Sequence, residues 1–292
     1  MTEGAVTLFL AGDVMIGRGV DQALEPSVEP VLHERWIDDA RRYLELAERA
    51  HGPIPDPIAP SYPWGDALEV LERAAPDARI VNLETALTAG GRPWKGKGIH
   101  YRAHPAHAAV MAAGGIDVCS LANNHALDWG RAGLIDTLAA LRDAGIGVCG
   151  AGEDRGGAQA PAVVPVADGR VHVFGLGSPT AGVPDAWEAR ERRPGVWLLP
   201  ELTRDAARRV AERIARSRAS EPGPTVVSIH WGGNWGYRVP GRQRRFARRL
   251  IETGAVDVVH GHSSHHPKGV EIHRGRPILY GCGDLLTDYE GI

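Results

Sequence analysis

Cysteine is scarce in this chain: Cys119, Cys149 and Cys282 stand far apart, each in an apolar run. That spacing indicates neither a disulfide framework nor a thiolate metal knuckle, and the three read as small buried hydrophobes. No apolar run approaches the roughly 18 residues of a membrane span. The N-terminus passes from Met-Thr-Glu-Gly-Ala directly into Val-Thr-Leu-Phe-Leu, without the basic stretch and long apolar core of a leader. These two absences predict a soluble, cytoplasmic protein with no membrane segment. An excess of one charge is missing too: a net charge of −3 neither steers the chain towards nucleic acid nor argues for disorder. Repeats, linkers and low-complexity segments are absent, so a single domain over residues 1–292 is expected, long enough to bury a substantial core.

Histidine and glycine are plentiful, at 13 and 37 residues, so the placement of the imidazoles becomes the question. Apolar runs ending in Gly, Asp or Asn alternate with amphipathic stretches. The pattern predicts strands at 6–10, 79–84, 116–121, 146–149, 162–166, 171–176, 226–230 and 256–260. Helices are predicted at 66–75, after Pro105, and at 134–144, 203–218 and 241–253. A further helix is predicted over 31–50, where Leu32, Trp36, Ala40, Tyr43, Leu44, Ala47 and Ala50 recur at helical spacing. Residues 51–64 are too rich in proline for a regular element. Turns are expected at Asp168-Gly169 and at Arg274-Gly275, the latter closing a hairpin of 269–273 with 277–280. Strand–helix alternation gives an α/β protein with a largely parallel sheet covered on both faces, the hairpins adding antiparallel edges or a second sheet. The arginine runs at 204–218 and 242–249 read as solvated helix faces and not as a nucleic-acid patch, because acids elsewhere balance them.

Nearly every strand ends in a metal-binding residue type. The first leads to Gly12-Asp13, the next to Asn82-Leu83-Glu84, the third to Asn123-Asn124-His125. The late strands lead to His230 and to His260-Gly261-His262-Ser263-Ser264-His265-His266. Active sites of open α/β sheets collect at the carboxyl ends of strands, so Asp13, Glu84, Asn124, His230, His262 and His265 are expected to converge. Imidazoles closing apolar strands need partners, and a metal is a common one. Among the late histidines, the Gly-His-x-x-His spacing favours His265 as a ligand, while His260 and His266 are open between ligand and support. A mixed nitrogen and oxygen set without thiolate suits one or two divalent ions, Mn²⁺, Fe or Zn²⁺. Such ions polarise an ester oxygen and acidify water, which points to hydrolysis.

Five motifs in order, Gly-Asp-Val-Met-Ile-Gly-Arg at 12–18, Asn-Leu-Glu at 82–84, Ala-Asn-Asn-His-Ala-Leu-Asp-Trp-Gly at 122–130, His-Trp-Gly at 230–232 and Gly-His-Ser-Ser-His at 261–265, resemble the CapA family of poly-γ-glutamate capsule proteins. That family in turn is similar to the calcineurin-type metallophosphoesterases. The resemblance implies a four-layer α/β/β/α sandwich, two mixed sheets between helices. It implies Asp13 as the first metal-binding aspartate, Glu84 as a bridging carboxylate, and Asn124, His230, His262 and His265 as further ligands. It also implies His125 as the acid that protonates a leaving group. Two departures stand out. Met15 occupies a position where most of the superfamily has a histidine ligand, and the chain stops at Ile292, just after Gly-Asp-Leu-Leu-Thr-Asp-Tyr-Glu at 283–290, where relatives continue with what would be terminal strands.

Residues expected to touch an anionic small-molecule or polymer substrate are Arg18, Arg102, Lys97 and Asn234, the arginines because a guanidinium grips phosphate or carboxylate in bidentate fashion. Three functions remain open on sequence alone. A phosphoesterase using metal-activated water leads. An amidase or peptidase on γ-glutamyl bonds uses the same centre, with Arg18 and Arg102 on substrate carboxylates. A non-catalytic polymer-binding or assembly factor keeps the scaffold after losing a ligand at Met15.

Overall fold

A computed structural model of the chain describes residues 5–167, 169–218 and 223–289. Two sheets pack face to face between two helical layers, giving the α/β/β/α sandwich. The first sheet runs Asp284–Leu286, Leu8–Val14, Ala78–Leu83, Val118–Ser120, Gly147–Cys149, with every neighbouring pair parallel. The second runs Val270–His273, Arg276–Leu279, Val258–His262, Thr225–His230, Gly169–Gly177, Ala162–Val166, parallel in its centre and antiparallel at both edges. The two edge hairpins are the expected ones, although Asp168 of the first turn lies outside the described residues, as do Glu290 and Ile292 at the end of the chain.

Strand periodicity builds three cores. Ala78, Ile80, Val118 and Cys149 of the first sheet meet Val164, Val171, Val173, Val226 and Val258 of the second. Each fully buried Ile or Val there contributes on the order of 1.5–3 kcal/mol. The alternate residues face outwards. Val81, Leu83 and Cys119 pack under the helices Ala67–Ala74, Ala108–Ala113 and Gly130–Asp143. Val227, Ile229 and Val259 pack under Arg204–Ser217 and Gly241–Glu252. Thr203 caps the first of these two helices, its hydroxyl accepting from the Ala206 N–H at 3.2 Å.

One expected element takes another form, and the structure adds short ones that the periodicity does not signal, the strand Asp284–Leu286 among them. The helix foreseen over 31–50 begins only at Arg41 and ends at His51. Residues 30–40 instead form a loop closed by Leu32 N–H to Asp38 O at 2.8 Å and Ala40 N–H to Pro30 O at 2.7 Å. The helical spacing there had no core to serve: Trp36 is 84% exposed. Glu34 is drawn instead to Arg18, at 3.1 Å.

The bulge in the first strand positions the site. Leu8 and Leu10 face the inter-sheet core, whereas Phe9 and Ala11 face the helices. Strict alternation would turn Asp13 outwards as well. The pairing instead runs Leu10 with Ile80 and then Asp13 with Asn82, three residues against two. The extra residue reverses the alternation and brings Asp13 inside. Gly12 makes the accompanying close approach possible, since a Cβ there would lie 1.9 Å from the Gly283 carbonyl oxygen. Gly12→Ala should therefore destabilise the fold by about 1–3 kcal/mol or more. Denaturant unfolding checks this, and wild-type stability would refute the account.

Candidate metal centre

The same period-two logic gathers the late histidines. Val226, Ser228 and His230 share the inner face of their strand, and Val258, His260 and His262 that of the next. The register sets Ser228 beside His260 and His230 beside His262. Asp13 arrives from the facing sheet, fully buried, with its Oδ1 3.9 Å from His230 Nδ1 and 3.8 Å from His262 Nδ1. Asn82 donates to Asp13 Oδ1 at 2.8 Å, and the Ser263 N–H to Oδ2 at 3.2 Å. Ser263 holds φ at 94°, a strained conformation for a residue with a side chain, and this turn delivers its N–H.

Proton accounting shows what this cluster is built to hold. His260 Nε2 lies 2.8 Å from the Ala11 carbonyl oxygen, which can only accept, so His260 carries its proton on Nε2. Its Nδ1 lone pair must then accept from the Ser228 hydroxyl at 3.2 Å. Having spent its single proton, Ser228 Oγ accepts from His262 Nε2 at 2.8 Å. On the other side, His230 Nε2 donates to Asn124 Oδ1 at 2.7 Å. Both remaining nitrogens, His230 Nδ1 and His262 Nδ1, are left as lone pairs only 3.0 Å apart and facing Asp13. Burial holds both rings neutral by pulling their pKa values well below the usual imidazole range. Two lone pairs and a carboxylate aimed at one point repel one another unless a cation sits between them. Asp13, His230 and His262 thus fit a metal, with Ser228 and Asn124 locking the imidazoles in the ligating tautomer.

The acids agree. Burial, reinforced by the charge of Asp284, pushes Asp13 up to about 7. Glu84 is raised well above the carboxylate range by burial and by Asp13, and its Oε2 has no hydrogen-bond partner. Glu84 Oε1 stands 3.9 Å from His230 Nε2 and 3.6 Å from His125 Nε2, at the border of the cluster. A second set, Asp13, His265 and Asp284, shares Asp13 with the first. There His265 Nδ1 lies 2.9 Å from Asp284 Oδ1, and Asn234 Nδ2 donates to His265 Nε2 at 2.9 Å. Burial opposes charge on His265, but the Asp284 carboxylate outweighs it and the pKa is raised. This set carries its own His–Asp neutralisation, so an ion must displace a proton to enter.

His125 borders the cluster without joining it. Its Nδ1 is held by Asp128 at 2.5 Å, which leaves Nε2 towards Glu84. Burial lowers its pKa to about 4 despite Asp128. Lys97 pairs with Asp128 at 2.6 Å and donates to the Asn124 backbone carbonyl, tying its loop to the centre.

The two arginines are engaged with groups of the protein. Arg18 is buried in a bidentate pair with Asp288, bonds Glu34 and Tyr43, and stacks on Tyr43 at 4.0 Å, so its donors are committed to the protein. Arg102 lies over Trp129 at 3.8 Å and donates to the Glu29 carbonyl at 3.1 Å. Met15 is an ordinary core residue, 2% exposed. His266 stacks against Trp235 away from both sets.

The sequence reading missed Asp284, Ser228, Asn82 and Asp128. Signals existed: Gly283-Asp284 repeats the Gly12-Asp13 pair, and Ser228 stands two residues before His230 on the same strand face. Two outcomes follow. Ser228→Ala frees His262 to place its proton on Nδ1, so divalent-ion affinity should fall roughly 10–100-fold, read by calorimetry; unchanged affinity would break the tautomer argument. Since Asp13 must ionise to hold the ion while the imidazoles are already neutral, affinity should climb as pH rises through about 7, with net proton release on binding. A flat profile between roughly pH 6 and 8 contradicts it.

Over residues 7–289 the chain matches the family of the bacterial capsule synthesis protein PGA_cap. It is 50% identical over 290 residues to a probable polyglutamine synthesis accessory protein of Mycobacterium tuberculosis, covering 98% of this chain and 76% of that one. A PGA biosynthesis protein CapA of Bacillus subtilis is 29% identical over 98% of this chain and 64% of its own. For the capsule biosynthesis protein CapA of Bacillus anthracis the figures are 27%, 66% and 45%. A crystal structure of a hypothetical protein from Thermus thermophilus aligns with 96% of this chain and 77% of its own at 15% identity and a TM-score of 0.47. By the extent of the family match and the order of its motifs, the chain belongs to the bacterial capsule synthesis protein family PGA_cap.

Proposed function

We propose that the chain is a metal-dependent hydrolase of the metallophosphoesterase type, acting on a phosphoester in the synthesis of an anionic capsule polymer. One observation carries this reading: the His230 and His262 lone pairs, 3.0 Å apart, converge on the buried Asp13 carboxylate. The donors are nitrogen and oxygen without thiolate, which suits Mn²⁺, Fe or Zn²⁺. When bound, such an ion supplies Lewis-acid polarisation of a substrate oxygen and acidifies a water. Asp13 is common to both three-residue sets, so the proposal extends to two ions, with Asp284 supplying a carboxylate to the set that Met15 leaves without its histidine.

The chain's own residues supply the remaining chemistry. Asp128 fixes the His125 ring and its proton through Nδ1, so Nε2, a lone pair in the neutral ring 3.6 Å from Glu84, is placed to take up a proton and relay it to a leaving oxygen. Lys97 holds Asp128 and the Asn124 carbonyl in place from a loop that packs its ammonium 5.0 Å from the Trp187 ring. Asn234 steadies His265, through both its side chain and its backbone carbonyl at 3.1 Å.

Phosphate release from generic phosphomonoesters and phosphodiesters in Mn²⁺ tests the proposal. Turnover should vanish with chelator and in His230→Ala, while His125→Gln should lower kcat by about 10²–10⁴ and leave ion affinity nearly unchanged. No turnover with Mn²⁺, Fe²⁺ or Zn²⁺ retires it. Cleavage of poly-γ-glutamate peptides with phosphoesters left intact would move the reading to an amidase, and tight ion binding without any turnover to an assembly factor.

A further inference from the structure

We propose that the outer face of the second helical layer binds a polycarboxylate chain, a deepening of the capsule-polymer reading above that rests on it for the identity of the polymer. The helices Arg204–Ser217 and Gly241–Glu252 pack side by side and carry ten arginines against Asp205, Glu212 and Glu252, an excess of seven positive charges. The whole chain, by contrast, carries −3. Balanced composition therefore hides a strongly one-sided surface.

A solvated face of this kind usually neutralises itself with neighbouring acids. Here only three of the ten arginines do so: Arg208 with Glu212 at 3.1 Å, Arg248 with Glu271 at 2.6 Å and Arg249 with Glu252 at 3.0 Å. The other seven, including Arg209, Arg213, Arg216 and Arg245, form no ion pair among the described residues. Arg213 Nε is shielded from solvent and lacks any hydrogen-bond partner, an unsatisfied donor of a kind that native proteins seldom leave.

Two grooves mark the face. Arg204, Arg245 and Arg248 line one of about 560 Å³ together with Leu202 and Phe246. Arg209, Arg213 and Arg216 line another of about 240 Å³ with Trp197, Leu199 and Val210.

The chemistry selects among polyanions. Guanidinium groups bind carboxylates in bidentate fashion, and the aliphatic lining accepts the methylenes between them. Single-stranded nucleic acid is held by stacking on exposed rings, but the rings lining these grooves, Phe246 and Trp197, are buried. Insertion into a membrane surface requires large exposed apolar side chains, and none of those exposed among the described residues lies on either helix. Each helix joins parallel strands, so it starts at the sheet edge that carries the metal centre and runs away from it. A polymer lying along the two helices would lead towards that centre.

Anisotropy of fluorescently labelled poly-γ-glutamate with the full chain tests the proposal. The variant Arg209→Gln/Arg213→Gln/Arg216→Gln/Arg245→Gln should bind roughly tenfold more weakly or worse, with an unchanged melting curve, and wild-type binding should weaken as salt rises. A control, Arg41→Gln/Arg42→Gln/Arg73→Gln/Arg142→Gln, removes the same charge elsewhere and should bind as wild type. Equal loss in both variants overturns the surface. So does binding of an oligonucleotide of matched charge, or of anionic vesicles, as tight as that of the polymer, and so does loss of polymer binding in His230→Ala. If hydrolysis fails while this binding holds, the hydrolase reading falls and the surface stands.

Discussion

Two imidazole lone pairs and a carboxylate turned towards one buried point form the constraint around which this protein is arranged. The imidazoles cannot relieve the conflict by changing tautomer; Asp13 does so only by holding a proton, which its raised pKa of about 7 expresses. The His260–Ser228–His262 chain starts from a backbone carbonyl, so its proton directions cannot be reversed. Asp13 has no basic side chain bonded to it; its partners are the Asn82 amide, the Ser263 N–H and the Glu84 carboxyl. In a buried site Coulomb interactions are strong and uncompensated charge is costly, so the cluster presents a demand for positive charge that a cation would satisfy.

The fold serves this demand by bringing together strands from opposite ends of the chain. Asp13 and Asp284 come from the first and last strands of one sheet, and His230 and His262 from the middle of the other. A one-residue bulge decides that Asp13 faces the histidines and not the helices. A glycine at position 12 lets the last strand close against the first. Arg18, once a candidate for gripping substrate, works for the same closure: it ties the loop after the first strand to Asp288, just beyond the last.

The charge distribution is divided in a way that suits an acidic polymer. The centre is rich in carboxylates and would repel a polyanion without its ions, whereas the arginine face lies on the far side of the second sheet and attracts one. The polymer need not compete with the metal ligands for their ions.

Much of this was legible in the order of residues. Alternating apolar runs determined ten of the eleven strands of the two sheets and most of the long helices, because burial repeats every two or every 3.6 residues whatever the surroundings. Strand ends rich in Asp, Asn and His marked the carboxyl edge as the site, and Asp13, His230, His262 and His265 meet there. Local spacing could not show that residues 31–40 have no core to pack on, so a helix was read where the chain forms a loop. It could not show the bulge that turns Asp13 inwards, that Asp284 stands beside Asp13, or that Ser228 dictates which nitrogen of His262 is free. Nor could it separate Arg18, buried among its own acids, from the unpaired arginines of the outer helices. Those outcomes depend on which strands become neighbours and in what register, a long-range matter of sheet packing that no window of sequence contains.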